Sequence, residues 1–145
     1  MTWYPIFLDL SGRKVLVAGA GKVALRKVKG LLEAGAIVTL IAPERDSAFD
    51  ELEVNYLRRK ARSSDAKDFA LIFAATNDRA ANRRLAAAAM KRGIPANVAD
   101  SPDECTFLVP ARIIHGDIQV AVSTGGRDPR LAVKTRDAIK QAMHA

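Results

Sequence analysis

The sequence predicts an α/β fold, a Rossmann-like parallel sheet followed by a small C-terminal strand–helix dimerisation unit. Short apolar runs alternate with segments of helical periodicity as far as Val98, a pattern typical of parallel strands joined by helical crossovers. The first run ends in a glycine-rich loop that opens a helix. After Pro110 the alternation stops, and strand-like runs flank a turn with no helix between them. We therefore divide the chain into 1–110 and 111–145.

Each element follows from its own pattern. Short apolar runs bounded by glycine, proline or polar residues predict five strands, over 14–18, 36–42, 54–57, 69–75 and 94–98. Helical spacing of apolar residues, with a glycine beyond the last turn, predicts helices over 22–34 and 79–90. The C-terminal region is predicted to contain strands over 106–109 and 118–123, with a turn at 115–117, and a helix over about 130–143.

Composition limits the class of protein. The 145 residues are 49% hydrophobic and 27% charged, which suits one globular domain with a small appendage. No run approaches the ~20 apolar residues of a membrane span, and Pro5 and Asp9 interrupt the apolar start, which argues against a signal peptide. A single cysteine, Cys105, excludes an internal disulfide and a multi-cysteine zinc site. We expect a reducing, cytoplasmic setting.

The net charge of +7 comes from one window. Residues 58–92 contain ten basic and three acidic residues, and the rest of the chain is neutral. Such a surplus suits a polyanionic partner or a solvated helical face. No aromatic residue interleaves with the arginines of 79–92, which argues against stacking on single-stranded nucleic acid. We expect neither a nucleic acid nor a membrane as partner.

The first chemical motif is Gly19-Ala20-Gly21-Lys22-Val23-Ala24, between the first strand and the first helix. This is the context in which a glycine fingerprint binds a dinucleotide. Gly19 permits a tight turn, and Gly21 lets the backbone approach a pyrophosphate at the helix N-terminus. A tight turn with no ligand is the alternative interpretation.

The end of the second strand bears on the choice of nicotinamide cofactor. In this fold an acidic residue about 20 positions beyond the glycines binds the ribose hydroxyls. Glu44 could accept those bonds, whereas Arg45 could instead receive a 2′-phosphate. Both residues are equally compatible with solvated loop charges. NAD is the expected cofactor, with NADP left open.

Two later strand ends also carry polar residues. Because ligands of open parallel sheets bind beyond the carboxyl ends of strands, Thr76 and Asn77 would face the nicotinamide half of a dinucleotide. The alternative is that Asn77 or Asp78 caps the next helix. Asp100 would lie at the same edge, where a carboxylate removes a proton or binds a metal. An aspartate in a turn before Pro102 is the alternative.

A fourth motif, Ser123-Thr124-Gly125-Gly126-Arg127, precedes the last helix. The hydroxyls of Ser123 and Thr124, the amide of Gly125 and the guanidinium of Arg127 could bind a substrate carboxylate or phosphate. A flexible strand-to-helix turn is the alternative. The lone histidines, His115 and His144, and the lone cysteine are expected to have no role as ligand or nucleophile.

Six short stretches, in this order, resemble the precorrin-2 dehydrogenase family, the dehydrogenase part of siroheme synthase. The resemblance covers nearly the whole chain. The stretches are Pro5-Ile6-Phe7-Leu8-Asp9-Leu10, the glycine loop with Val23-Ala24-Leu25-Arg26-Lys27, Ala75-Thr76-Asn77-Asp78, Asn97-Val98-Ala99-Asp100, Phe107-Leu108-Val109-Pro110-Ala111 and Ser123-Thr124-Gly125-Gly126.

The resemblance implies an NAD-dependent oxidation of precorrin-2 to sirohydrochlorin, on the path to siroheme. It implies an NAD-binding domain over 1–110 and a dimerisation segment over 111–145 that exchanges between the subunits of a homodimer. The polycarboxylate substrate would account for the basic window. Asp100 matches the family's general base, which in bifunctional members also serves insertion of ferrous iron.

By the same resemblance, four residues would contact the cofactor: Lys22, Val23, Pro43 and Glu44. Two departures bear on iron insertion, which the resemblance therefore leaves open. Many members continue into a helical domain beyond position 145, which is then either missing or supplied by another chain. Arg127 and Asp128 also replace small hydroxyl residues before Pro129.

A different class of function stays in competition with the enzyme. The chain could be a non-catalytic NAD-binding module that senses redox state or transfers a tetrapyrrole to a partner. Turnover of precorrin-2 with NAD separates the two hypotheses. A nucleic-acid-binding protein would instead show strongly salt-dependent binding.

Overall fold

A computed structural model describes residues 2–144, which form two compact units. The larger unit is Ile6–Phe107, and the smaller contains the residues up to Pro5 with those from Leu108 onward. The start of the chain thus groups with the C-terminal region and not, as 1–110 implied, with the sheet. The Trp3 side chain accounts for this grouping, because its indole ring lies against Gly125. A Cβ built on that glycine would be 3.2 Å from the indole Cδ1.

A five-stranded parallel sheet forms the larger unit, with the strand order β3-β2-β1-β4-β5. The strands are β1 (Lys14–Ala18), β2 (Ile37–Ile41), β3 (Asn55–Leu57), β4 (Leu71–Ala74) and β5 (Ala96–Val98). In register, Val17 of β1 lies beside Leu40 of β2 and Phe73 of β4. The strand order reverses direction between β1 and β4, the place where open α/β sheets bind ligands.

Helices α1 (Lys22–Glu33) and α2 (Arg79–Lys91) pack into two separate hydrophobic cores. Successive side chains of a strand point to opposite faces, so β1 contributes Val15 and Val17 to one core and Leu16 and Ala18 to the other. This double burial is why β1 is apolar without a break from Val15 to Ala18. The helices complete the cores with Ala24, Val28 and Leu31 from α1 and Leu85, Ala86 and Ala89 from α2.

The smaller unit is an antiparallel hairpin with one helix. The hairpin joins β6 (Ala111–His115) to β7 (Ile118–Val122) through a two-residue turn, and α3 (Pro129–Met143) follows. Its buried hydrophobic side chains among the described residues are Ile113 and Ala132. The predicted fold class is confirmed. Within residues 2–144, no helix is both long and apolar enough to cross a bilayer.

The predicted strand over 106–109 is wrong, because this segment is irregular and binds β5 through both backbone and side-chain hydrogen bonds. Thr106 donates its amide to the carbonyl of Ala96 at 2.9 Å, and its Oγ1 accepts from the Ala96 amide at 2.8 Å. Phe107 then packs edge-on against Phe73, with ring centroids 5.3 Å apart. The apolar residue that suggested a strand therefore belongs to the core of the larger unit.

Candidate functional site

The carboxyl ends of the parallel strands bring four predicted segments to one edge of the sheet. The glycine loop follows β1, Pro43 follows β2, Thr76 follows β4 and Asp100 follows β5. All four belong to the larger unit. The sequence motifs in the larger unit therefore share an edge, as parallel strands require.

Gly19 is needed because a neighbouring strand end approaches it closely. Its φ of +105° is rarely adopted by other residues, and a Cβ there would lie 2.6 Å from the carbonyl carbon of Ala75 and 2.9 Å from the Thr76 amide nitrogen. The Gly19 amide donates to the carbonyl of Ile41 at 2.9 Å. Gly19 thus joins the ends of β2, β1 and β4.

Gly21 differs, because the space beside it is open. Nothing lies within 4 Å of a Cβ built on Gly21, and its extended backbone suits any residue. Gly21 is the N-cap of α1, and no side chain among the described residues caps the helix or adds an acid to its first turn. The first amides, at Lys22 and Val23, are therefore available to an anion. This end of α1 fits a pyrophosphate.

At the end of β2, the two candidate charges have different surroundings. The Arg45 guanidinium stacks on Tyr56, 4.6 Å from the ring centroid, and pairs with Asp50 at 3.5 Å. The Glu44 carboxylate is exposed and has no polar partner among the described residues. Arg58 donates its Nε to the Pro43 carbonyl at 3.3 Å. Glu44 is the free group beside this turn.

After β4, Thr76 and Asp78 both hold the backbone. Thr76 donates its Oγ1 to Oδ1 of the buried Asn82 at 2.5 Å, and its amide donates to the same atom at 3.1 Å. Asp78 accepts from the Ala81 amide at 3.0 Å and caps α2. Asn77 is exposed, with no hydrogen bond among the described residues. Of the predicted pair, only Asn77 has a side chain free for a ligand.

Asp100 lies on an exposed turn and forms an ion pair that the sequence did not suggest. Its Oδ1 accepts from the Arg79 guanidinium at 3.1 Å. Arg79 also contacts Ser101 Oγ at 3.0 Å and Glu104 Oε1 at 3.4 Å. In the sequence, Arg79 belonged only to the basic window, and only the fold brings the first residue of α2 to this turn.

A second residue without a sequence signal is Lys27, on α1. Its Nζ lies 5.3 Å from the ring centroid of Phe73, and burial lowers the pKa of this ammonium. Nearby, burial raises the pKa of the Cys105 thiol, whose Sγ lies 3.3 Å from the carbonyl oxygens of Val98 and Ser101, the two acceptors within reach of its single hydrogen. The thiol therefore forms hydrogen bonds with the backbone.

The predicted substrate loop belongs to the smaller unit. Ser123 Oγ accepts from the Gly125 amide at 3.1 Å, and Thr124 Oγ1 accepts from the Asp128 amide at 2.9 Å. Asp128 in turn accepts from the Leu131 amide at 2.9 Å, which caps α3. The Arg127 side chain is exposed and has no polar partner among the described residues.

A resident metal has no obvious ligand set in this part of the chain. Among the described residues, no three His, Cys, Asp or Glu side chains converge as metal ligands would. Asp100, the one metal ligand considered from sequence, is paired with Arg79 instead. The side chains on the sheet edge suit a dinucleotide and a proton acceptor.

Two family models match the chain. Residues 6–111 match the family described as "Putative NAD(P)-binding", and residues 115–142 match "Sirohaem biosynthesis protein central". The first match alone spans most of the chain.

Among curated proteins, the siroheme synthase of Methylococcus capsulatus is 46% identical over 97% of this chain and 30% of its own length. That of Ectopseudomonas mendocina is 43% identical over 97% of this chain and 31% of its own length. This chain thus spans about a third of these relatives. Among solved structures, SirC, precorrin-2 dehydrogenase, superimposes with a TM-score of 0.85 at 31% identity, over 97% of this chain and 71% of that one.

Proposed function

The chain belongs to the family described as NAD(P)-binding and is similar to siroheme synthases and to SirC, and we propose that it oxidises precorrin-2 to sirohydrochlorin with NAD as the hydride acceptor. The observation that carries the proposal is the shared sheet edge. There, the uncapped end of α1 beside Gly21 follows β1 and the Asp100 carboxylate follows β5, two strands of one parallel sheet with β4 between them. A dinucleotide site and a proton acceptor are the two things such a reaction needs.

The cofactor is proposed to lie along the strand ends from β2 to β4. The free amides of α1 would bind its pyrophosphate, with Gly19, Gly21, Lys22 and Val23 forming the loop around it. Thr76 would shape the nicotinamide end by fixing the backbone after β4, while the free amide of Asn77 would contact the ring half.

NAD is proposed over NADP from the charges near Pro43. A free carboxylate suits the ribose hydroxyls and repels a 2′-phosphate, and Glu44 is free. Arg45, the residue that would favour NADP, is held by Tyr56 and Asp50.

Asp100 is proposed as the general base. Bound NAD would supply the hydride acceptor, and the loss of two electrons as hydride from the macrocycle would leave a proton to be removed. The Asp100 carboxylate would accept that proton and release it to water, which its exposed turn allows. Asp78 is the rival carboxylate, but its Oδ1 is used to cap α2.

The polycarboxylate substrate is proposed to bind through the loop of the smaller unit. The Ser123 and Thr124 oxygens accept from amides in the loop, which leaves each hydroxyl proton available to a substrate carboxylate. The Arg127 guanidinium, which has no polar partner among the described residues, would add a bidentate donor, and Gly125, with a φ of +69°, forms the turn between it and the two hydroxyls. Insertion of ferrous iron, with Asp100 as a possible contact, stays a subsidiary hypothesis.

A homodimer is proposed because the smaller unit leaves much apolar surface in water. Exposed large side chains of this unit, from the loop before β6 to α3, are Val109, Ile114, Ile118, Leu131 and Val133. An antiparallel hairpin with so few buried residues needs a further surface to pack against.

The test is turnover of precorrin-2 with NAD and with NADP, in the wild type and in Asp100→Asn. We expect turnover with NAD to exceed that with NADP, and the variant to lose about a hundredfold or more in rate with unchanged NAD affinity. Ferrous iron is added in a separate arm, to look for siroheme.

Near-normal turnover by Asp100→Asn would make Asp100 a turn residue. NAD binding by the wild type with no turnover would instead favour a redox-sensing or tetrapyrrole-transfer module.

A further inference from the structure

Arg79 donates hydrogen bonds to three residues of the turn that carries Asp100. It is the first residue of α2, and its guanidinium donates to three acceptors on one short segment. Its Nη1 lies 3.1 Å from Asp100 Oδ1, while its Nη2 lies 3.0 Å from Ser101 Oγ and 3.4 Å from Glu104 Oε1. A planar guanidinium with fixed donors sets direction as well as charge.

Asp100 depends on Arg79 for its orientation. The backbone around it is fixed, because the Ala99 amide donates to Ala74 at 3.1 Å and the Ser101 amide to Val98 at 3.2 Å. The carboxylate itself is 62% exposed, and Arg79 is its hydrogen-bond partner among the described residues. Without that bond, no other hydrogen bond among the described residues fixes the rotamer of the Asp100 side chain.

The Arg79 guanidinium is itself held by Ser101 and Glu104. Ser101 is buried, and the side chain of Glu104 is only 20% exposed. Arg83 binds the same Glu104 Oε1 through its Nε at 2.9 Å, which keeps that carboxylate in place. Ser101 and Glu104 therefore hold Nη2 of Arg79, while its Nη1 donates to Asp100.

The bond involves one carboxylate oxygen only. Oδ1 accepts from Arg79, and Oδ2 has no partner among the described residues. A base needs a free oxygen at a defined position, and a one-sided ion pair provides that.

We propose that Arg79 is a positioning residue for proton transfer, which holds Asp100 through Oδ1 so that Oδ2 is presented to the substrate. This inference rests on the proposed role of Asp100 as general base. Arg79 itself forms no bond with the leaving proton and acts through the carboxylate.

The test is a mutant cycle of Arg79→Ala and Asp100→Asn, with Arg84→Ala as the matched control. Arg84 is an exposed arginine on the same helix with no polar partner among the described residues, so its removal changes charge without touching Asp100. The measurements are kcat, KM for precorrin-2, NAD affinity and thermal midpoint.

We expect Arg79→Ala to lower kcat by about tenfold or more, because small misplacement of a catalytic group is costly, with NAD affinity unchanged. Arg84→Ala should change KM at most. In the Asp100→Asn background, Arg79→Ala should cause no further loss, since both changes disable one unit. Added guanidinium ion should restore part of the kcat of Arg79→Ala, and Arg79→Lys should retain only part of it.

Several results would overturn the inference. If Asp100→Asn is impaired and Arg79→Ala is not, the positioning role fails and the general base stands. If Arg79→Ala lowers kcat equally in both backgrounds, Arg79 acts independently of Asp100. If Asp100→Asn turns over normally, the general base fails and the inference with it. If Arg79→Ala does not fold, the same cycle is run with Arg79→Lys, and additive losses there overturn the proposal.

Discussion

Two aspartates that follow strand ends differ in what their oxygens contact. Asp78 accepts from an amide three residues later and caps α2. Asp100 has no such helix to cap and pairs with a distant guanidinium instead. Both residues are aspartates that follow a strand of the same sheet, so it is their contacts that separate a structural carboxylate from a candidate base.

The two glycines of the loop make a similar contrast, and each has a testable consequence. Gly19→Ala should destabilise the protein by about 3 kcal/mol or more, because the new Cβ would meet the Ala75 carbonyl at a strained positive φ.

Gly21→Asp should leave stability nearly unchanged, because its Cβ points into open space. It should nevertheless weaken NAD binding, since a like charge would meet the pyrophosphate.

Urea unfolding and calorimetric titration with NAD measure these two effects. Equal stability losses in both variants would contradict the distinction between the two glycines. Undiminished NAD affinity in Gly21→Asp would remove the glycine loop as the pyrophosphate site.

At the scale of elements, an ion pair links two parts of the segment between β3 and β4. Asp65 ends a short 3₁₀ turn, Ser63–Asp65. It receives both terminal nitrogens of Arg59, at 2.6 and 2.9 Å, and the Arg62 amide at 2.7 Å. The hydrogen bonds from Arg59 are the main cause that lowers the pKa of Asp65 below its ordinary value, and the bond from the Arg62 amide lowers it further. This turn therefore depends on an ionised carboxylate.

Asp65→Asn should lower stability at pH 7 by about 1 to 2 kcal/mol. Because the folded-state pKa is lowered, the stabilisation is complete above the unfolded value near 3.8 and disappears as the pH falls through the lowered pKa. The difference in free energy of unfolding between wild type and variant should thus be constant near neutral pH and disappear in acid.

Unfolding in urea across this pH range is the measurement, with Asp68→Asn as control. Asp68 lies in the same segment with no polar partner among the described residues, and its φ of +62° suits asparagine as well. Two results would contradict the stabilising role of the ionised Asp65. One is a stability difference that persists in acid, and the other is an equal loss of stability in Asp68→Asn.

At the scale of the whole molecule, the two units differ in how much they bury. α1 buries three apolar residues, whereas α3, although longer, buries only Ala132 among the described residues. Leu131 and Val133 on α3 are 50% and 42% exposed. Buried apolar area is the main favourable term in folding, so the smaller unit is expected to gain its stability from a second chain.

We therefore expect a homodimer at micromolar concentration, measured by light scattering. Leu131→Glu should produce a monomer whose larger unit stays folded, because it places a charge on the exposed face of α3. Met90→Glu, at a similarly exposed apolar position on α2, should leave the dimer intact. A monomeric wild type would refute this proposal.

Periodicity located most of the fold because it records local burial. The strands of the sheet and all three helices lie within a few residues of their predicted bounds, since each must place apolar residues on a core-facing side. The strand at 106–109 failed for the same reason. Phe107 is apolar because it packs on Phe73, and periodicity does not distinguish burial by a strand from burial by an irregular segment.

The sequence by itself determined the parallel sheet, the glycine loop and the order of polar strand ends, because these depend on residues close together in the chain. Tertiary structure alone decided that Gly19 must accommodate Ala75, that Arg45 is held while Glu44 is free, and that Arg79 reaches Asp100. Arg79 and Asp100 are far apart in sequence, and no local pattern encodes their meeting. It follows from the crossover that returns the chain from α2 to β5, which puts the start of the helix beside the end of the strand.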